Sequence, residues 1–257
     1  MSLRASLAIT RHEFRVALSD PSTFIFLLIM PLFMVALMRG LFAGALASEG
    51  FAGANGSEFA IPGMAVGFAA FGVGFAGFTF FRDHGWGTWD RLRATPATSI
   101  DIIVGKVVPT IALTVAQLGL LFVLGGPLFG FEITGSILAT VLIIVVLALS
   151  LSAFGMAITA ISRSMQQLNA IGSVGAFGMA MLGGAWVPVA LMPGWAQAIA
   201  PIMPTYWAMQ GFKSVILEGG GVSDIMQPLL VMVAFGVVFA LVAAAKFRLE
   251  DTKAYYG

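Results

Sequence analysis

Residues able to do chemistry are few in this chain, and most of them cluster. From Phe81 to Pro96 the sequence reads FRDHGWGTWDRLRATP, with Arg82, Asp83, Asp90, Arg91 and Arg93 charged and His84, Trp86 and Trp89 among them. Such a segment must satisfy its charges with water, lipid phosphate or another protein. Nothing around it completes a catalytic set. The chain has no cysteine, so thiol catalysis, disulfides and cysteine metal sites are excluded. Its two histidines, His12 and His84, are far apart, and no metal site is expected. Gly105-Lys106 fails as a phosphate loop, because Ile100 and Val107 stand where that loop needs glycine and Ser or Thr. There is no Gly-x-Ser-x-Gly elbow and no His-Glu pair set for metal hydrolysis. No catalytic, cofactor-binding or metal-ligating residue is therefore expected.

The surrounding composition explains why so polar a segment stands out. Hydrophobic residues make up 59% of the 257 and charged ones 10%, with a mean hydropathy of +0.98. That places the chain among all-α polytopic membrane proteins, as a single transmembrane domain over 1–257. Charge-free stretches give six spans: about Thr23–Leu41, Phe59–Phe81, Val107–Gly125, one within Ile133–Ser162, Leu168–Val189 and Ile225–Ala245. The leader before span one is long and mixed in charge, which reads as retained sequence and not as a cleaved signal.

Of the 13 Lys and Arg, all but Arg39 and Lys213 fall on the face that holds both termini. That bias puts the termini and Phe81–Pro96 in the cytoplasm, in a plasma (inner) membrane. Five charges at mid-bilayer would cost on the order of 12 kcal/mol, so the segment cannot lie in lipid. Arg39 and Lys213, near helix ends, are expected to snorkel to the outer surface. A net charge of +1 gives no reason to expect nucleic acid.

Residues 1–20 place Leu3, Leu7, Phe14 and Leu18 on one helical face with Arg4, Arg11 and Arg15 on its flank. This predicts an amphipathic helix in the cytoplasmic interface, among membrane lipids. Residues 190–221 are apolar but broken by Pro193, Pro201 and Pro204, and carry Trp195, Tyr206 and Trp207. Two short helices are expected there, about Trp195–Ile199 and Thr205–Leu217, as a re-entrant outer segment. No ionisable group lies at the centre of a span, which argues against a proton- or ion-coupled carrier.

Small residues recur at close spacing: Gly63 and Gly67 in span two, and Gly172, Ala176, Ala180 and Gly184 in span five. They predict close helix approach, within the chain or between two copies. Phe68, Phe71, Phe75 and Phe78 of span two, with Met179 and Leu182 of span five, could line an apolar substrate path; lipid-facing positions are the alternative. In the polar segment Trp86, Trp89 and Leu92 are each three apart, giving one apolar stripe on a short helix that Pro96 closes.

WGTWDRLRATPAT followed by IIVGK resembles the cytoplasmic-loop signature of type-2 ABC transporter permeases, notably the short members resembling daunorubicin-resistance permeases. GGAWVPVALMPGW, Gly183–Trp195, resembles that family's second recognisable region. One departure is Gly85, where the family pattern has its second acid; Asp83 matches the first, so Asp83 or Asp90 must take over any pairing. The resemblance implies a homodimer of permeases with two copies of a separate ATPase subunit, which binds the ATP and Mg that this chain does not. It implies outward transport of a drug, antibiotic, lipid or polyketide by alternating access, with residues 82–100 as the coupling loop. Trp86, Trp89, Leu92 and Pro96 would then shape the docking helix for the ATPase with Asp90 charged beside them, and Asp83, Arg91 and Arg93 would make polar contacts to the ATPase or hold the loop against span three. A secondary carrier or channel, or a structural or lipid-handling membrane protein, are the other readings open to the sequence.

Overall fold

A computed structural model describes residues 3–20, 22 and 25–247, with the side chains of Leu3, Phe75, Ala76, Arg93 and Ser99 outside that description. The C-terminal basic residues Arg248 and Lys253 also lie outside it. The regular elements are helices. In chain order they are α1 (Leu3–Ser19), a π-helical turn (Ile25–Ile29) running into α2 (Met30–Ser48), α3 (Ser57–Gly72), α4 (Gly74–Gly85) and α5 (Thr88–Arg93). Then come α6 (Ser99–Phe129), α7 (Ile137–Ile161), α8 (Met165–Leu182), α9 (Gly194–Ile199), α10 (Pro204–Leu217) and α11 (Met226–Lys246).

Five stretches are long and apolar enough to cross a membrane: Ile25–Ser48, Ser57–Gly85, Ile100–Phe129, Ile137–Ile161 and Met226–Lys246. The expected fifth span is α8, which falls short of that standard. Gln166, Gln167 and Asn169 in its first turns and three internal glycines lower its apolar content. It also ends at Leu182 and not at Val189. Gly184 turns the chain at φ +81°, and the N–H groups of Ala185 and Trp186 donate back to the Ala180 carbonyl at 3.0 Å.

Local chemistry sets the starts of the long helices. Thr98 and Asp101 form a capping box at the head of α6, with Thr98 N–H donating to Asp101 Oδ2 at 2.9 Å. Ser136 and Ser164 cap α7 and α8 through their hydroxyl oxygens. The interrupted pair α3–α4 is the axis of the bundle. Its apolar window is 75% buried, against 17% for α2 and 22% for α11, which flank the bundle. The core joins α3 residues such as Ile61, Met64 and Phe68 to Leu118 and Phe122 of α6, Ile143 and Leu147 of α7, and Phe212 of α10.

The two short helices expected after span five stand at Gly194–Ile199 and Pro204–Leu217. α10 is more enclosed than a surface helix would be, with Ala208, Phe212 and Val215 fully buried. Thr205 Oγ1 donates to the Met179 carbonyl at 2.6 Å and pins α10 to the end of α8. At that end Lys213 pairs with Glu49 at 2.6 Å, and Arg39 lies over the Phe129 ring at 5.7 Å.

A candidate coupling site at the charged end of the bundle

At the opposite end, α1 lies along the start of α6, and the contacts run in register. Ser6 Oγ donates to Asp101 Oδ1 at 3.0 Å. Ile9 packs so close to Gly105 that a Cβ built on Gly105 would sit 2.6 Å from the Ile9 Cβ. Glu13 Oε1 accepts from Lys106 Nζ at 2.7 Å. These α1 residues are spaced three and four apart, one helical face. The Gly-Lys pair of the sequence motif thus has a structural reason: the glycine admits α1, and the lysine crosses beneath it.

Glu13 is the hub of a buried ion cluster. Its Oε2 accepts from Arg82 at 2.8 Å, and Lys106 also meets Asp83 Oδ2 at 2.7 Å. Lys106 Nζ further donates to the Thr79 carbonyl at 3.2 Å and lies 5.2 Å from the Phe80 ring centre. Two acids and two bases cancel, so the cluster is neutral as a whole. That neutrality is what lets four ionic groups leave water together.

α5 stands on this base. Gly87, at φ +68°, turns the chain between α4 and α5. Thr88 Oγ1 donates to Asp83 Oδ1 at 3.0 Å, tying the head of α5 to the cluster. Trp89 is only 4% exposed and stacks on His84 with ring centres 4.3 Å apart, while Leu92 packs beside it. Trp86 does not share that stripe, contrary to the sequence expectation. It sits before Gly87, outside α5, is 66% exposed, and has the Arg82 guanidinium 5.5 Å from its ring centre. The positive-φ glycine breaks the helical register on which the expectation depended. Asp90, Arg91 and Pro96 are exposed, whereas Asp83 faces inward to Lys106. The Arg93 side chain lies outside the described residues.

The other sequence candidates divide. Phe68 and Phe71 meet Trp186, whose ring is stacked on Phe71 at 5.6 Å and tilted to Phe68 at 6.1 Å. Met179 is buried in the same core, and Leu182 is half-buried. Phe78 is elsewhere, lining a cavity with Glu13 and Arg82. The Phe75 side chain lies outside the described residues. Gly63 and Gly67 admit the backbone of Ala185 and the indole of Trp186, so their close approach is within the chain. Ala176 and Ala180 are buried in α8, a Cβ on Gly172 would meet nothing within 4 Å, and Gly184 belongs to the turn after α8 and not to its packing face.

The comparison with known families decides what this arrangement belongs to. The ABC-2 type transporter family profile matches residues 4–217, from α1 through α10. The chain is a member of the ABC-2 type transporter family. It is 28% identical over 152 residues to the linearmycin resistance permease protein LnrN of Bacillus subtilis, covering 59% of this chain and 39% of that protein. It is 28% identical over 174 residues to the inner membrane transport permease YhhJ of Escherichia coli, covering 67% of this chain and 46% of that protein. The probable multidrug ABC transporter permease YbhR of Escherichia coli is 26% identical over 171 residues, covering 65% of this chain and 45% of that protein. The chain thus aligns with less than half the length of these ABC-2 relatives.

Sequence reasoning missed Glu13, and it saw Lys106 as a failed phosphate loop, an inner-face cation and part of the Gly-Lys motif, never as an ion-pair partner of the leader. The available signal was an acid flanked by Arg11 and Arg15 in the middle of the leader helix. Trp186 was legible only as part of the second motif.

Proposed function

We propose that this chain is the membrane-spanning permease of an ATP-driven exporter, working as a homodimer with two copies of a separate ATPase subunit. Six spans cross the membrane, α8 being the least apolar, and both termini face the cytoplasm as the distribution of Lys and Arg demands. α1 lies in the cytoplasmic interface, its exposed Leu7 and Leu18 toward lipid acyl chains and Arg4, Arg11 and Arg15 among phosphates. α5 docks on the ATPase, which alone binds ATP and Mg. The cargo is a hydrophobic or amphipathic molecule such as a drug, antibiotic or lipid, moved outward along Phe68, Phe71 and neighbouring faces of α3 and α8. α9 and α10 form the outer re-entrant cap.

The observation that carries this reading is the mounting of α5. A short helix with exposed Asp90 and Arg91, flanked by exposed Trp86 and Pro96, is fixed through Thr88 and Asp83 to a buried ion cluster that also grips α1 and α6. A push on that helix is delivered to three membrane-embedded elements together. The test is affinity purification of the full chain from its native membrane, with and without Arg91→Glu. Wild type should bring down an ABC ATPase identified by its phosphate-loop peptide. The variant should reach the membrane in equal amount and lose at least most of that partner. Equal capture by both, or substrate flux through liposomes holding this chain alone, rejects the coupling role.

A further inference from the structure

Above the ion cluster a cavity of about 110 Å³ lies between α1, α4 and α6, and it is distinct from the Trp186 region assigned to the cargo path. One face of α6 supplies its polar wall: Lys106, Thr110, Thr114 and Gln117, spaced four, four and three apart. The two threonine hydroxyls donate to carbonyls one turn earlier, Thr110 to Lys106 at 3.3 Å and Thr114 to Thr110 at 2.9 Å. Their oxygens therefore offer lone pairs to the cavity. Gln117 is 5% exposed, and its amide nitrogen finds no hydrogen-bond partner among the described residues. A buried amide without a partner is costly, and a site that supplies an acceptor removes the cost.

The charges on the wall decide what kind of group fits. Arg82 and Lys106 line the cavity, but each already holds a carboxylate, and Glu13 and Asp20 line it as well. The Ser22 hydroxyl and backbone N–H both donate to Asp20 and hold its carboxyl below the ordinary carboxylate range. An anion would thus meet two acids and two cations with no unshared charge to offer. Leu27, Phe78 and Leu113 supply apolar wall beside these groups.

We infer that this cavity binds the neutral head of an amphiphile, an acylglycerol or similar ester, with a carbonyl accepting from Gln117 and a hydroxyl donating to Thr114. Its acyl chains lie along the apolar wall toward lipid. The test uses the full chain in detergent and native mass spectrometry with two probes: dioctanoylglycerol, and dioctanoyl phosphatidic acid, which adds a phosphate to the same chains. The neutral probe should be retained in preference. Gln117→Met keeps the length of the side chain but deletes the amide, and should weaken retention about tenfold, one buried hydrogen bond's worth. Leu113→Trp, which fills the space, should abolish it. Because Gln117→Met removes an orphaned amide, its melting temperature should not fall, and its capture of the ATPase should be unchanged. Equal retention by wild type and Gln117→Met, preference for phosphatidic acid, or retention of neither probe (a cavity that holds only water) overturns the assignment.

Discussion

Replacing Glu13 by methionine tests the ion cluster most directly. Among the described residues Glu13 is the sole carboxylate on Arg82, whereas Lys106 keeps Asp83 at 2.7 Å when Glu13 is gone. Breaking a buried ion pair from one side typically costs about 3–5 kcal/mol, because the remaining charge is left in a dry site. The lower end applies here, since Arg82 also faces the exposed Trp86 ring and can turn toward water. About 3 kcal/mol in a chain of this size corresponds to a fall in melting temperature on the order of 10 °C. The companion variant, Glu13→Met with Arg82→Met, removes one acid and one base and leaves Lys106 with Asp83, again neutral. It should regain most of the loss. Melting can be followed in detergent by the surviving monodisperse peak on size exclusion after heating. A single variant as stable as wild type, or a double variant whose loss is the sum of the two singles, shows that the two residues are not energetically coupled and refutes the cluster as the base of α5.

Three further variants test packing and exposure. Gly67→Ala drives a methyl into the Trp186 indole and should cost about 1–3 kcal/mol, relieved when Trp186 is also replaced by leucine, whereas Gly172→Ala meets nothing and should be neutral or stabilise α8 by about 0.5–1 kcal/mol. A Gly67 variant that melts with wild type would remove the contact from the account, and a Gly172 variant that melts early would point to a second chain on that face. Lys213→Met removes a pair whose lysine side chain is 36% exposed and should change the melting temperature little, under about 1 kcal/mol; a larger drop would make that pair structural.

Much of the membrane plan was legible because hydropathy is a sum over twenty residues and tolerates errors of a few positions. Four of the expected spans correspond to α2, α6, α7 and α11, and a fifth to α3–α4. The prolines at 193, 201 and 204 located α9 and α10, since each restricts where a helix can begin or continue. α8 was harder. Its presence was readable from small and apolar residues, but its end is set by a glycine at positive φ and by backbone bonds to Ala180, which hydropathy does not register.

The candidate site was legible in its location and not in its wiring. Charge crowding marked Phe81–Pro96, yet an outward role was open to every one of its charges, with Asp83, Arg91 or Arg93 holding the segment against span three as the alternative. Asp83 and Arg82 instead turn inward because Glu13 and Lys106, 69 and 24 positions away from Arg82, bring the complementary charges. Periodicity gives each helix a face, but it cannot say that the inner face of α1 meets the head of α6. That pairing needs Gly105 opposite Ile9, a fit of shape between segments far apart in sequence. The motif's glycine, threonine and lysine are therefore better understood as parts of one joint than as separate docking residues. Thr88 ties α5 to Asp83, Gly105 seats α1, and Lys106 joins both through Glu13 and Asp83. The coupling role proposed for α5 requires such a joint, because a docking helix hinged on water alone would absorb the motion it is meant to transmit.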